Sequence, residues 1–337
     1  MAREARYVAM KIGLDLGSST LRIADEKQGV VLREACVIGD GLAGGPTFVV
    51  GSAAEKMIGR TPEHMQAVCP MGRGVVSAPR ATGEFLKELL PQVVGWRWKW
   101  RPKIVAAVPA RITGPQKQSL IKALKFAGAS EVSLMAKPVA AALGATPETG
   151  TKRSTMVVDI GAETTEVAAL APGIVVCESI PVGGRQFDEA LLCHLRNVHG
   201  LEVSRETAES LKKELGSAHP VRDEKKVKVF GREMESSLPL TVDVNGKEIR
   251  LAVEHPLQQI VALVKQTLDK TPPGIASDIL THGLMLTGNG ALLKGLDLYL
   301  ADQCGLKVQV AANPGDCAVL GLLQTKHNFN EAPKEEK

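Results

Sequence analysis

Short runs of β-branched and aliphatic residues that stop at glycine or proline alternate along this chain with longer stretches that read as helix. The runs predict strands over 8–15, 29–34, 103–109, 155–160, 166–170, 173–180 and 283–287. Helices are predicted between them, over 115–127, 138–144, 185–198, 204–215, 256–270, 291–303 and 317–325. Ser204 reads as an N-cap ahead of an acidic first turn, and Pro115 and Pro256 suit first-turn positions. Strands alternating with helices argue for α/β layers. Two stretches interrupt the alternation and read as insertions. Residues 39–71 are rich in glycine and proline, with one short helix around 53–58. Residues 221–251 carry the basic run Lys225-Lys226-Val227-Lys228, then alternating residues and Asn245-Gly246, a strong hairpin signal.

The pattern also repeats. Asp15-Leu16-Gly17-Ser18-Ser19-Thr20 is followed by Gly29 and Glu34, and Asp159-Ile160-Gly161-Ala162-Glu163-Thr164 by Gly173 and Glu178. In both copies the aspartate precedes the later glycine by 14 residues and the glutamate by 19. A duplicated strand–turn–strand implies two similar α/β domains with a cleft between them, gripping one ligand. Gly17 and Gly161 suit turns that expose successive amides to an anion. Ser18, Ser19, Thr20, Thr164 and Thr165 can add small donors, and Asp15 and Asp159 suit a hydrated Mg²⁺ that bridges phosphates.

Two further elements fit a nucleotide. Thr287-Gly288-Asn289-Gly290-Ala291 reads as a strand end, a glycine turn and a helix start, which can meet a phosphate or lie flat on a purine. Glu209 and Lys212, three residues apart on one predicted helix face, can reach a ribose or an adenine edge.

Composition narrows the class. Apolar residues make up 44% and charged residues 23% of 337, the norm for a globular chain long enough for two cores. A net charge of +4, from 41 basic and 37 acidic side chains, gives no warrant for a nucleic-acid partner. The scattered cysteines at 36, 69, 177, 193, 304 and 317 suit a reduced, cytosolic chain better than a disulfide framework or zinc site. The N-terminal residues do not read as a signal peptide, and 328–337 read as a disordered charged tail.

The three tryptophans fall within five residues, Trp96-Arg97-Trp98-Lys99-Trp100. In an extended segment, period 2 puts the indoles on one side and the cations on the other. A buried strand face, stacking on single-stranded nucleic acid and a seat at a membrane–water interface all use such a pattern. The modest net charge weakens the nucleic-acid reading.

Taken in order, the two Asp-x-Gly hairpins, Gly59-Arg60-Thr61-Pro62, the segment from Thr207 to Gly216, Lys270-Thr271-Pro272-Pro273 and the Thr287–Ala291 turn resemble the MreB family of bacterial actins, from about Lys11 to Thr325. The resemblance implies an actin-like, duplicated ribonuclease-H-like fold of two domains, with a central nucleotide cleft and two small inserted subdomains. On it, residues 1–38 and 69–150 form the first domain, with a C-terminal helix at 316–327 packing back. Residues 39–68 and 185–251 are the insertions, and 151–184 with 252–315 form the second domain. It also implies ATP and Mg²⁺, self-association into filaments, wall-synthesis membrane proteins as partners, and a role in rod cell shape. At the position of the tryptophans the family carries a hydrophobic loop that enters the cytoplasmic membrane, so a peripheral attachment is expected there. An actin-like filament for another cargo, such as a magnetosome or plasmid, and a sugar kinase or other non-filament ATPase of the same superfamily are the alternatives.

Three motifs depart from the family pattern. Its second phosphate turn reads D-I-G-G-G-T-T-E, where this chain has Ala162 and Glu163. Its E-E-P, whose second glutamate positions the attacking water, is here Ala136-Lys137-Pro138. Its G-G-D-R-F-D-E is Gly183-Gly184-Arg185-Gln186-Phe187-Asp188-Glu189. A protonated lysine cannot serve as a general base, so ATP binding with slowed or lost hydrolysis is expected around Asp159, Thr164, Lys137 and Glu163. A Lys137–Glu163 pair across the cleft is expected too, and Glu163 orienting the water itself is the rival.

Overall fold

The computed structural model describes residues 10–41, 49–58, 65–95, 101–146, 154–222 and 224–324. The chain divides into two compact units, Met1–Glu148 with Asp316–Lys337, and Thr149–Gly315. The segment 96–100, with all three tryptophans, and residues 59–62 lie outside the described residues.

In the first unit, β1 (Lys11–Leu16), β2 (Thr20–Asp25) and β3 (Gly29–Ala35) form an antiparallel meander. The chain then passes through β4 (Ile38–Gly41), β5 (Val49–Val50), α1 (Ser52–Glu55) and β6 (Met65–Val68), of which the strands form a small sheet in the order β5-β4-β6. A two-stranded ribbon of β7 (Met71–Gly72) and β8 (Val75–Val76) leads to α2 (Pro79–Val94). After β9 (Lys103–Val108), α3 (Gly114–Phe126) and β10 (Glu131–Ala136), the main sheet is complete in the order β10-β9-β1-β2-β3. Ile12, Leu14 and Leu16 share a core with Phe85, Leu86 and Leu90 of α2 and Leu120 and Leu124 of α3. Each such side chain contributes roughly 1.5–3 kcal/mol on burial.

The other face of β1 carries Gly13 and Asp15, since strand side chains alternate. A Cβ at Gly13 would stand 2.8 Å from Val319 O, so the glycine admits a C-terminal helix (Cys317–Gly321) to the sheet. That helix crosses α4 (Lys137–Ala145) at Gly144 and Gly321, where added Cβ atoms would lie 1.9 Å from Cys317 O and 1.8 Å from Ala140 O. Backbone-to-backbone contact at two glycines fixes α4, whose first residue is Lys137.

The second unit repeats this plan. β11 (Thr155–Ile160), β12 (Thr165–Ala171) and β13 (Ile174–Ile180) form the antiparallel meander, followed by α5 (Gly184–His199), β14 (Leu201–Glu202) and α6 (Arg205–Leu215). β15 (Lys226–Glu233) and β16 (Pro239–Asn245) join β14 in a small sheet, and α7 (Gly246–Asp269) and α8 (Pro273–His282) lead back to β17 (Leu284–Thr287). A 3₁₀ turn (Asn289–Leu292), α9 (Leu296–Cys304) and β18 (Val308–Val310) complete the main sheet in the order β13-β12-β11-β17-β18. In each sheet one pair of ladders is antiparallel and the next pair parallel. Its core joins Met156, Val158 and Ile160 to Phe187, Leu191 and Leu195 of α5 and to Val253, Leu257 and Val264 of α7. The short helix Cys317–Gly321, which packs in the first unit, is α10.

Several elements differ from expectation. Asn245-Gly246 is no hairpin turn: Asn245 caps α7, its side-chain oxygen accepting the Glu248 amide at 3.1 Å. Asparagine serves both turn and cap, and the residues beyond it decide, here Ile249, Val253, Leu257 and Ile260 at helical spacing. Pro256 therefore sits inside α7 rather than at its start. The β15–β16 hairpin turns over 234–238, with Ser237 at φ +60°. The helix expected over 291–303 is broken by Gly295 at φ +68°. β10 and α8 were not legible as separate elements, whereas Ser204 does cap α6, accepting from the Thr207 amide. Among the described residues no helix is long and apolar enough to cross a membrane.

Candidate functional site

The two Asp-x-Gly turns have the same hydrogen bond at their base. Gly17 N–H donates to Thr20 O at 3.1 Å, and Gly161 N–H to Thr164 O at 2.9 Å. Gly29 and Gly173, at φ +72° and +77°, make the next turn of each meander, and among the described residues an added Cβ would meet nothing within 4 Å at either, so they serve the hairpin.

In the second turn, Gly184 N–H donates to Gly161 O at 3.0 Å and Arg185 N–H to Ala162 O at 2.7 Å. The start of α5 thus consumes two carbonyls of the turn. In a trans peptide the carbonyl of one residue and the amide of the next point in opposite directions. The amides of Ala162 and Glu163 therefore face away from α5, as a nest for an anion requires. Close packing makes this fit: a Cβ on Gly183 would come within 2.6 Å of Gly161 O. Thr165 is fully buried and donates to Val182 O at 2.7 Å, bracing the turn from behind. The first turn is backed differently. Ser18 O accepts from Cys69 Sγ and Ser18 Oγ from the Gly74 amide, each at 3.0 Å, so the Ser19 amide points away from that support.

The two buried aspartates sit in opposite electrostatic settings. Asp15 lies opposite Arg22 in the β1–β2 ladder, 4.0 Å from its guanidinium and 3.8 Å from Lys137 Nζ. Arg22 is also 3.3 Å from Asp316, which Arg33 grips with two bonds at 3.0 and 2.5 Å. Asp159 instead lies opposite the buried Glu166 and accepts from Thr287 Oγ1 at 3.0 Å. Cations thus stand beside Asp15, and a second carboxylate lies in register with Asp159.

The glycine turn after β17 packs on the end of β11. Gly288, at φ +78°, has Ile160 O where a Cβ would be, at 2.3 Å, and its amide donates to Pro314 O at 2.7 Å. A Cβ on Gly290 would meet Ile160 Cγ2 at 2.2 Å. Asn289 is exposed and Ala291 buried. On α6, Lys212 turns back to α5, 2.6 Å from Asp188 and 3.0 Å from Gly184 O. Burial pushes the Asp188 carboxyl above its usual range, against the pull of Lys212. Glu209 pairs with Lys213 at 2.8 Å. Gly161, Thr164, Gly288, Asn289, Gly290 and Lys212 thus cluster around one end of the second unit's sheet.

Glu163 and Lys137 have partners inside their own units. Arg185 donates to Glu163, drawing that carboxylate onto α5, and Lys137 lies beside Asp15. Arg185, Asp188 and Glu166 are the residues that sequence reasoning passed over. Arg185 had a signal, as a departure of reversed charge, but its partner depended on how α5 docks.

A duplicated five-stranded sheet, with an aspartate-led amide turn in each copy, defines the actin-like class. The chain matches the MreB/Mbl protein family over residues 9–334 and belongs to that family. It is 37% identical over 316 residues to the cell shape-determining protein MreB of Escherichia coli, covering 92% of this chain and 91% of that one. It is 34% identical to the cell shape-determining protein Mbl of Bacillus subtilis, covering 97% and 98%. The crystal structure of Spiroplasma citri MreB5 bound to ADP superposes with a TM-score of 0.87 at 28% identity, over 93% of this chain and 95% of that one.

Proposed function

We propose that this chain is an ATP-binding bacterial actin that assembles into filaments and supports cell shape, with slowed hydrolysis. The observation that carries the reading is the pair of turns whose amides face away from their backing elements, in a family whose solved Spiroplasma citri member is bound to ADP. Phosphates would be held by the amides of Ser19, Ala162 and Glu163 and by Ser18, Ser19, Thr20 and Thr164. The Gly288–Ala291 turn and the α6 face with Glu209 and Lys212 would hold the nucleoside.

Of the two aspartates, Asp159 is better suited to Mg²⁺. Glu166 lies in register with it as a second carboxylate, whereas Lys137 and Arg22 stand within 4.0 Å of Asp15. The ion would balance phosphate charge when bound. The chain's own residues would orient the nucleotide but lack a carboxylate base at position 137, where a lysine lies 3.8 Å from Asp15 instead. Glu163 as a substitute is disfavoured by its bond to Arg185.

Filaments on the cytoplasmic face of the membrane, attached through Trp96, Trp98 and Trp100 with Arg97 and Lys99, and docking of wall-synthesis membrane proteins complete the proposal. Purified protein given ATP–Mg²⁺ should bind nucleotide and sediment. Failure to bind nucleotide would refute it.

A further inference from the structure

We propose a binding site for a zinc-type divalent ion formed by His194, His199 and Glu248, remote in sequence from both aspartate turns. His194 and His199 lie in the last turns of α5, and Glu248 in the first turn of α7. One potential ligand atom from each falls within 4.8 Å of the other two. His199 Nε2 is 2.8 Å and His194 Nε2 3.8 Å from the same carboxylate oxygen, Glu248 Oε2.

Three features point to an ion rather than a simple histidine–glutamate pair. His194 Nε2 is buried and has no hydrogen-bond partner among the described residues, a costly state that a metal bond would relieve. Asn245 donates to Glu248 Oε1, as an outer-shell group orients a ligating carboxylate, so that Oε2 is turned towards both imidazoles. The separations also suit the ion: bonds of about 2.0–2.2 Å at tetrahedral angles put ligand atoms about 3.4 Å apart, within about 1.5 Å of those observed. Two imidazoles and one carboxylate favour zinc over magnesium or calcium, which prefer oxygen ligands. A fourth position is left for water.

The ion would clasp the C-terminal end of α5 to the N-terminal end of α7, the two helices between which α6 and the small β14–β15–β16 sheet are inserted. Because α5 begins at the Gly161–Ala162 carbonyls, the clasp would anchor the far end of the helix that backs the second turn.

The full chain, dialysed against chelator and held in excess Mg²⁺, is titrated with Zn²⁺ against a chromophoric competitor. One equivalent should bind, with affinity at least 100-fold weaker in His194→Gln and in His199→Gln and 10- to 100-fold weaker in Asn245→Ala. Circular dichroism checks that each variant is folded, and Glu248→Gln serves if a histidine variant is not. Co²⁺ as a spectroscopic probe should give absorption without a thiolate charge-transfer band. Absence of stoichiometric Zn²⁺ binding, unchanged affinity in both histidine variants, or a thiolate band would each overturn the proposal, the last by assigning the ion to cysteines.

Discussion

Glu163, at the tip of the second turn, and Arg185, in the first turn of α5, bond to each other. Both stand where the MreB pattern has other residues, glycine at one and aspartate at the other. The substitutions are thus complementary: a carboxylate placed beside a phosphate turn is matched by a cation that folds it back onto the helix. Arg185→Ala should remove that cation from the carboxylate and weaken ATP binding about fivefold to tenfold, the size of a partly exposed charge interaction. Adding Glu163→Gly should restore affinity. Titration with a fluorescent ATP analogue checks both, and weakening that persists in the double variant would contradict the compensation.

Lys137 governs turnover on this account. Lys137→Glu restores a carboxylate at the position of the family's water-positioning glutamate and should raise phosphate release about 10²-fold, the lower range for a general base. Lys137→Ala should leave release low. Single-turnover phosphate measurements separate the two.

The α4–α10 contact depends on two glycines. Gly144→Ala or Gly321→Ala would drive a Cβ into a backbone carbonyl at 1.9 or 1.8 Å, and either should cost roughly 2–4 kcal/mol by forcing the helices apart. Denaturant unfolding reads the loss directly. Ala142→Gly, which removes a buried methyl without a clash, should cost less, about 1–2 kcal/mol from helix propensity and lost burial.

The proposed membrane attachment rests on the tryptophan segment. Replacing Trp96, Trp98 and Trp100 by alanine should abolish binding to anionic liposomes and leave ATP binding intact. Flotation with and without liposomes checks it, and retained flotation would remove the segment from the account.

Much of this was written locally. The duplication was visible because turn chemistry is short-range: aspartate, glycine and hydroxyl residues recur in register, and the sheets built on them share one topology. Ser204 was legible as a cap for the same reason. Asn245 was not, because asparagine suits both hairpin and helix start, and the periodicity that decides comes afterwards. The pairing of Lys137 with Asp15 was hidden because it depends on Gly13, Gly144 and Gly321 letting α10 and α4 approach from distant parts of the chain. The His194–His199–Glu248 cluster was hidden likewise, since it needs α5 and α7 side by side.

The most direct test of an ATP-binding, hydrolysis-poor bacterial actin follows sedimentation and phosphate release together, with ATP–Mg²⁺ and anionic liposomes. Filaments that sediment with the lipid while phosphate release stays far below that of a relative bearing the glutamate are the predicted result. Release at the relative's rate would contradict the account.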